Sequence, residues 1–518
     1  MKKHLFWIIP SIIIAIGIFS VFYQNITNAS EPPDEGWSRA LQIGTTTVNN
    51  GLPVQKTKDD KLILQTYEEG QLLTKTLNTN FEVVNENSYD IPFDKWTQVF
   101  IQENNLIYHD YKHIYDQKGN IIVSDAKRFY PLKDTILYTK DNTLYKLNQV
   151  DKTSNKLMDL KNGTDEITPF EGKQGLYFMT ETSINNNVEI NVYAVKAEGI
   201  EQIHHEKFTI TFGQIINHID FAINDQELTY TFETQQKQSQ GPPQFYTYYK
   251  QVTIGSNEKF PLEQLKFNDP AGNGNLSEVG SINVSYRDGN PHFIFKASGY
   301  TQTKFKENNA FNIYSASMSD NGDVEVFRKS NTPAVSGNPQ WLDESTVIWL
   351  DLKGESNDIN VSSSKPAIID MAPGLTMDDW IRGLGKTLGM MSMTVITLSI
   401  SSIWFIWPVV FIVIIQFAQS KKLDEDPPWI FYTGIVIYML AVFIFKEYIF
   451  VQSIYLNAPD YLTFNGSTNI FILLFAVIAF IAAQSTKKTR DWKASARISC
   501  FVGAHILMLL SFFGSYFI

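Results

Sequence analysis

The sequence predicts a membrane protein with α and β structure in separate domains: an extracytoplasmic all-β propeller of about seven blades, and five transmembrane helices, one N-terminal and four C-terminal. Three features of the 518 residues carry that expectation. Five uncharged apolar stretches approach or exceed the length that crosses a bilayer. A turn followed by an aromatic strand recurs seven times between the first stretch and the second. Basic residues gather at alternate ends of the apolar stretches.

A hydrocarbon core about 30 Å thick takes about 20 helical residues to cross, because in lipid only the helix itself can pair its backbone N–H and C=O groups. The first stretch covers residues 5–23, just after Lys2 and Lys3. The second lies in the uncharged run between Lys386 and Lys421 and reads as one tilted helix bent at Pro408, with Trp404 and Trp407 beside the bend. The third, fourth and fifth cover 429–445, 469–484 and 498–517. A hairpin in the second stretch would carry the basic 487–497 cluster to the wrong side. Five crossings instead put Lys2 and Lys3, Lys421 and Lys422, and Lys487, Lys488, Arg490, Lys493 and Arg497 together, and the positive-inside rule names that side the cytoplasm.

The expected topology is a multi-pass cell-membrane protein with a cytoplasmic N-terminus, residues 24–386 outside and the C-terminus outside. The expected division is an anchor at 1–23, a linker at 24–37, the propeller at 38–361, a second linker at 362–386 and a four-helix domain at 387–518. Thr27 and Ala29 ahead of Ser30 suggest a signal-peptide site, but the apolar run exceeds the usual 7 to 15 or so residues, which favours an uncleaved anchor. The single cysteine, Cys500, falls in the fifth span, so no disulfide staples the outer domain. That fits a bacterial envelope.

The outer segment is rich in Tyr, Phe, Ile, Thr and Asn and is punctuated by Asn, Asp and Gly turns, the pattern of short strands. Its recurring phrase places Asp60 before residues 62–64, Asn105 before 106–108, Asp134 before 136–138 and Gln174 before 176–178. Asp225 then precedes 228–232, Asp288 precedes 293–295, and Asp343 precedes 347–350. A following strand is legible at 113–115, 143–147, 188–195, 245–254 and 311–316. A further one at 324–327 lies behind Asn321-Gly322, a pair suited to a two-residue hairpin. Such repetition is the mark of radially repeated blades. The intervals run unevenly, with loops at 235–244 and 268–275, and a β-sandwich pair or a β-solenoid is the competing architecture. In the Asp-rich turn ahead of an aromatic strand, the outer segment resembles bacterial envelope propellers of the TolB-like, WD40-like type.

The spans and their short loops carry a net charge of +4, which against −11 for the chain leaves about −15 on the outer segment. That disfavours nucleic acid as a partner and suits a soluble domain at an anionic surface. No nucleophile elbow, zinc helix, phosphate loop or dinucleotide fingerprint is present, and no cofactor is expected. His109, Asp110 and His113 have a spacing that could ligate a metal, but they fall in a hairpin where polar turn residues are ordinary. His204, His205 and Glu206 sit at another strand edge. The 269–278 loop has acidic residues off the EF-hand positions and reads as a flexible blade insertion.

Within the spans His505 stands without any Asp, Glu, Lys or Arg to pair with, and a neutral imidazole bonded to a neighbouring helix is the favoured reading. Ala476, Ala479 and Ala483 share a helix face, and Gly385 and Gly389 stand four apart, both patterns of close helix packing. The cytoplasmic pieces are too small for a kinase or cyclase. The leading expectation is a non-enzymatic envelope protein whose propeller recognises a peptide, glycan or protein, while the helices sit in the bilayer and dock a membrane partner. A propeller enzyme, hydrolase or dehydrogenase, and an accessory subunit of a transporter are the alternatives.

Overall fold

The computed structural model describes residues 5–517 except 49–50, 58–60, 69–70, 95, 103–104, 162–165, 173, 237–242, 257–261, 303–309, 320 and 355. Lys2, Lys3, Asp60 and most of the 235–244 loop therefore lie outside the described residues. The chain divides into two compact units. One comprises Met1–Glu31, Thr301–Phe305 and Gly374–Ile518; the other comprises Pro32–Tyr300 and Lys306–Pro373.

The second unit is a seven-bladed propeller, each blade a four-stranded antiparallel sheet. Blades 1 to 6 take their strands in chain order outward from the central channel; blade 1 is Val54–Lys56, Leu62–Glu68, Gln71–Leu77 and Val83–Tyr89. Blade 7 draws its inner three strands, Val335–Asp343, Thr346–Leu352 and Asn357–Ser363, from the end of the unit. Its outer strand, Leu41–Thr46, comes from the beginning. Sewing both ends of the domain into one sheet closes the ring and leaves only short, protected edges.

All seven phrases of the sequence are second strands of blades: Leu62–Glu68, Asn105–His109, Ile136–Lys140, Gly175–Ile184, Glu227–Gln236, Asn290–Ser298 and Thr346–Leu352. The reason is burial on both faces. In blade 7, Val347 and Trp349 enter the seam with blade 6. Ile348 and Leu350 enter the seam with blade 1. A strand that feeds two seams loses the polar positions of ordinary alternation, so it stands out as an apolar run. Among the described residues every neighbouring pair of blades shares its own apolar cluster.

The uneven repeat interval has a simple origin. Blades 2 and 3 use strands of 3 to 6 residues, whereas blade 4 has strands of up to 11. The expected two-residue turn at Asn321-Gly322 is corrected. Ser319 N–H donates to the Asp323 carbonyl at 2.9 Å and Gly322 N–H to the Ser319 carbonyl at 2.8 Å, with Gly322 at φ 82°. The strands thus meet at Ser319 and Asp323 and not across a two-residue turn, and Asp320 lies outside the described residues. Asp288-Gly289, with φ of 49° and 85°, forms a two-residue turn. The 269–278 segment forms a closed turn, Asp269 accepting from Ala271 N–H at 3.1 Å and Tyr300 N–H at 2.8 Å.

The helices in chain order are α1 (Leu5–Ser30), α2 (Pro366–Met371, in the propeller unit), α3 (Met377–Ile400), α4 (Ser402–Ala418) and α5 (Ser420–Glu425). They continue with α6 (Pro428–Phe445), α7 (Gln452–Asn457), α8 (Asp460–Thr463), α9 (Ser467–Arg490) and α10 (Ala494–Phe513). Five stretches are long and apolar enough to span a membrane: Trp7–Ser30, Met377–Ala418, Pro428–Tyr448, Ser467–Arg490 and Ala494–Tyr516.

Several sequence boundaries move. Residues 24–30 are helical rather than linker, and 362–386 holds the end of a strand, α2 and the start of α3. The second span is interrupted at Ser401, and Pro408, where the sequence suggested the bend, lies inside α4. Ser399 and Ser401 hydroxyls donate to the Val395 and Leu398 carbonyls and Thr397 to the Met393 carbonyl, a run of back-bonding that competes with the helix ladder. Gly385 and Gly389 face open space; the close contact is at Gly383, where a Cβ would lie 2.5 Å from Ile26 Cδ1. Gly17 is likewise pressed on Ser511, 2.6 Å from where its Cβ would be.

Candidate functional site

Two cavities, of about 640 and 460 Å³, open where the inner strands of the propeller converge, and both touch Gly51, Leu52 and Gln340. The smaller is built by irregularity. The inner strand of blade 5, Gln214–Asn224, carries an extra residue between Ile216 and His218. That of blade 6, Ser277–Arg287, breaks register on both sides of Gly280, and that of blade 7 carries an extra residue between Gly337 and Gln340. Each bulge turns residues that fall outside the strand register toward the cavity: Asn217, then Glu278 and Ser281, then Asn338. Glu278, Ser281 and Asn338 hold φ of 54°, 53° and 50°, a backbone strain that non-glycine residues accept only where the surroundings impose it.

Behind the bulges, His218 stands directly across from Glu233, with Asp220 on the same face. Glu233 accepts from Ile282 N–H at 2.6 Å and Asp220 from Val284 N–H at 2.8 Å, so two blade 5 carboxyls suspend the irregular inner strand of blade 6. Burial raises the pKa of both carboxyls, against the opposing pull of His218 and the backbone N–H bonds and, for Glu233, of Lys296. Lys296 lines the same cavity with its Nζ 5.6 Å from the centre of the Phe311 ring. Gly280 leaves it room, since a Cβ there would sit 3.2 Å from Lys296 Cε.

The larger cavity has a different wall. Trp96 and Tyr111, 52% and 72% exposed, stand with ring centres 6.4 Å apart. Gln55, Gln65, Gln98, Lys127 and Arg128 complete a polar lining. His109 also faces this cavity, its Nε2 3.1 Å from the Ala126 carbonyl and its ring stacked on Phe129.

Asp110 closes the hairpin, accepting from Lys112 N–H at 3.0 Å, His113 N–H at 2.7 Å and Tyr115 Oη at 2.9 Å. His113 Nδ1 accepts from Asp125 N–H at 3.2 Å. The structure thus places His109, Asp110 and His113 near one another, each with its own backbone partner. Among the described residues no group of three or more His, Cys, Asp or Glu side chains is placed to hold a metal ion.

His204, His205 and Glu206 lie on the outer strand of blade 4. Glu206 bonds to Lys250 and, at 2.5 Å, to Tyr230 Oη, both of blade 5, and His205 Nδ1 lies 2.8 Å from Asn191 Oδ1. Burial alone would raise the Glu206 pKa, but His204, Lys250 and Tyr230 hold it down to about 2. In the helical unit, His505 Nδ1 accepts from Tyr438 Oη at 2.7 Å and its Nε2–H reaches the Ile472 carbonyl at 3.0 Å, joining α10 to α6 and α9. Ala479 and Ala483 are fully buried and Ala476 nearly so.

The sequence reading missed the bulged wall. The available signal was Gly337-Asn338-Pro339, since proline within a strand is confined to edges and bulges. It also took Arg497 as part of a loop. Arg497 lies in α10, buried, 3.2 Å from Asp426 and against the Phe431 ring.

No family model matches the chain, and no curated protein does. Solved structures similar to it include the N-terminal domain of Nup159 (10% identity, TM-score 0.32, 64% of this chain and 97% of that one). The Neurospora crassa Pan2 WD40 domain is similar at 10% identity and TM-score 0.36, over 64% and 96%. An oligogalacturonate lyase in complex with manganese is similar at 12% identity and TM-score 0.38, over 65% and 96%.

Proposed function

We propose that this protein is a membrane-anchored recognition module whose propeller binds an extended polar ligand, glycan or peptide, across the mouth of its channel. The observation that carries this is the coincidence of three register breaks, in the inner strands of blades 5, 6 and 7, at one cavity. Bulges cost ladder hydrogen bonds, and three at one place are what a shaped binding wall requires. The shared residues Gly51, Leu52 and Gln340 join that wall to the aromatic pair Trp96 and Tyr111, giving a cleft longer than one small molecule. The basic clusters at 421–422 and 487–497 support a propeller on the outer face of a cell membrane, with the helices as anchor and as docking site for a membrane or wall partner.

The test has two arms. Protease shaving of intact protoplasts should cut the propeller; protection of the region around Gln174 would contradict the topology. Affinity capture on immobilised glycans and peptides, using the full-length protein in nanodiscs, should retain the wild type and lose Trp96→Ala and Asn338→Asp. Equal capture of all three proteins would move the site elsewhere.

A further inference from the structure

Lys296 is the informative residue of the cleft. Among the described residues no carboxylate lies within 4 Å of its Nζ, although the segment between the first and second spans carries about −15. Glu233, beside it across Gly280, accepts from Ile282 N–H at its Oε1, and burial raises its pKa against the pull of Lys296, so it offsets the ammonium only in part. An ammonium on a cavity wall with no carboxylate paired to it directly is a place for an anionic group of a ligand. Glu278 on the same wall limits that group to a single carboxylate, because a polyanion would meet it. Toward the other end the cleft presents amides, Asn338 and Gln340, and then the exposed rings of Trp96 and Tyr111. Flat aromatic faces suit the C–H faces of sugar rings and amides suit their hydroxyls, whereas a peptide would look for apolar side-chain pockets.

We infer that the ligand of this cleft is an oligosaccharide that pairs one hexuronate with neutral sugars, the carboxylate on Lys296 and a neutral ring on Trp96 and Tyr111. This rests on the cleft reading given above. A disaccharide of glucuronate linked to N-acetylglucosamine, and matched disaccharides that join galacturonate or mannuronate to one neutral sugar, each with its carboxyl methyl ester, supply the probes. Titration calorimetry with the full-length protein in detergent should show binding of at least one acid, with its ester weaker by about tenfold or more, the loss of one charge-assisted contact. Lys296→Met should bind the acid as weakly as the wild type binds the ester, Lys296→Arg should retain most affinity, and the exposed blade 3 variant Lys156→Gln should match the wild type.

Equal binding of acid and ester by the wild type overturns the carboxylate assignment and leaves the cleft standing, a result independent of how any variant folds. Binding of free-carboxylate peptides but of no saccharide overturns the ligand class alone. Failure of every saccharide and peptide to bind overturns the cleft reading as well.

Discussion

Removing the charge of Glu206 should loosen the joint between blades 4 and 5 by a predictable and pH-dependent amount. The carboxylate crosses from the outer strand of blade 4 to Tyr230 and Lys250 of blade 5, and the Lys250 side chain is only 6% exposed. A carboxyl held at about 2 against an ordinary 4.5 is stabilised by about 3 kcal/mol, which screening of this one-fifth-exposed side chain reduces to about 2.

The folded pKa lies below the unfolded one, so this stability is fully present above about pH 4.5 and is lost as pH falls toward 2. Glu206→Gln should therefore cost about 2 kcal/mol at pH 7, or about 3 °C for a cooperative unit of this size, and less than half of that at pH 3. Thermal melts of the full-length protein in detergent at the two pH values measure both quantities. A difference between variant and wild type that stays constant from pH 7 to pH 3 would refute the ionic account and leave only packing.

Other joints make sharper or weaker claims. Asp351, buried in blade 7, accepts from Ser336 at 2.6 Å, Trp349 Nε1 at 2.9 Å, Asn360 at 3.0 Å and Thr332 at 3.2 Å; Asp351→Ala strands these donors and should cost about 3 kcal/mol, seen as a lowered melting temperature. Lys329, over the Trp37 ring at 3.8 Å, is brought down to about 8 by burial, against the pull of Asp34. The unfolded chain then binds the extra proton between about pH 8 and 10.5, so the wild type should gain stability over Lys329→Met as pH rises through that window, and a falling difference would contradict the sign. Gly17→Leu should separate α1 from α10, since even a Cβ meets Ser511 at 2.6 Å, and disulfide trapping between cysteines placed on the two helices should fail. Tyr438→Phe removes the donor to His505 and should cost about 0.6 kcal/mol, by the usual worth of such bonds in membranes, measured by unfolding in mixed micelles.

The blades were legible in the sequence because their second strands are apolar on both faces. Phe293 and Phe295 face one seam and Ile294 the next, a pattern no half-solvated strand shows. The spans were legible for the corresponding reason in lipid. Their ends were not, because Gln24, Asn25 and Asn28 read as linker yet are held in α1, where Asn25 bonds to Thr387 at 3.0 Å and Asn28 accepts from Lys386 at 3.1 Å. The site was hidden for a more basic reason. Asp220 and Glu233 look like solvent-facing positions in alternating strands, and their role depends on backbone N–H groups of another blade about fifty or sixty residues away in the chain. Local periodicity carries no trace of such a partner.

The lengths of the inner strands explain why the shaped wall lies at blades 5 to 7 rather than elsewhere on the ring. Those strands have 11, 11 and 9 residues, against 3, 5 and 4 in blades 1 to 3. A bulge removes a ladder bond and twists its strand, so a strand of four residues that bulges is no longer a strand, whereas one of eleven keeps pairing on both sides of the break. Gln214–Asn224 does this, matched to its neighbour from Gln214 to Ile216 and again from His218 to Asn224. The short strands of blades 1 to 3 make the opposite contribution, ending early and leaving the wider cavity in which Trp96 and Tyr111 stand exposed. The asymmetry of the repeat intervals and the two-ended character of the cleft are thus one physical fact. Shortening the inner strand of blade 5 by deleting Asn217 should restore its register, remove the cavity's first bulge and abolish ligand capture while leaving the ring folded.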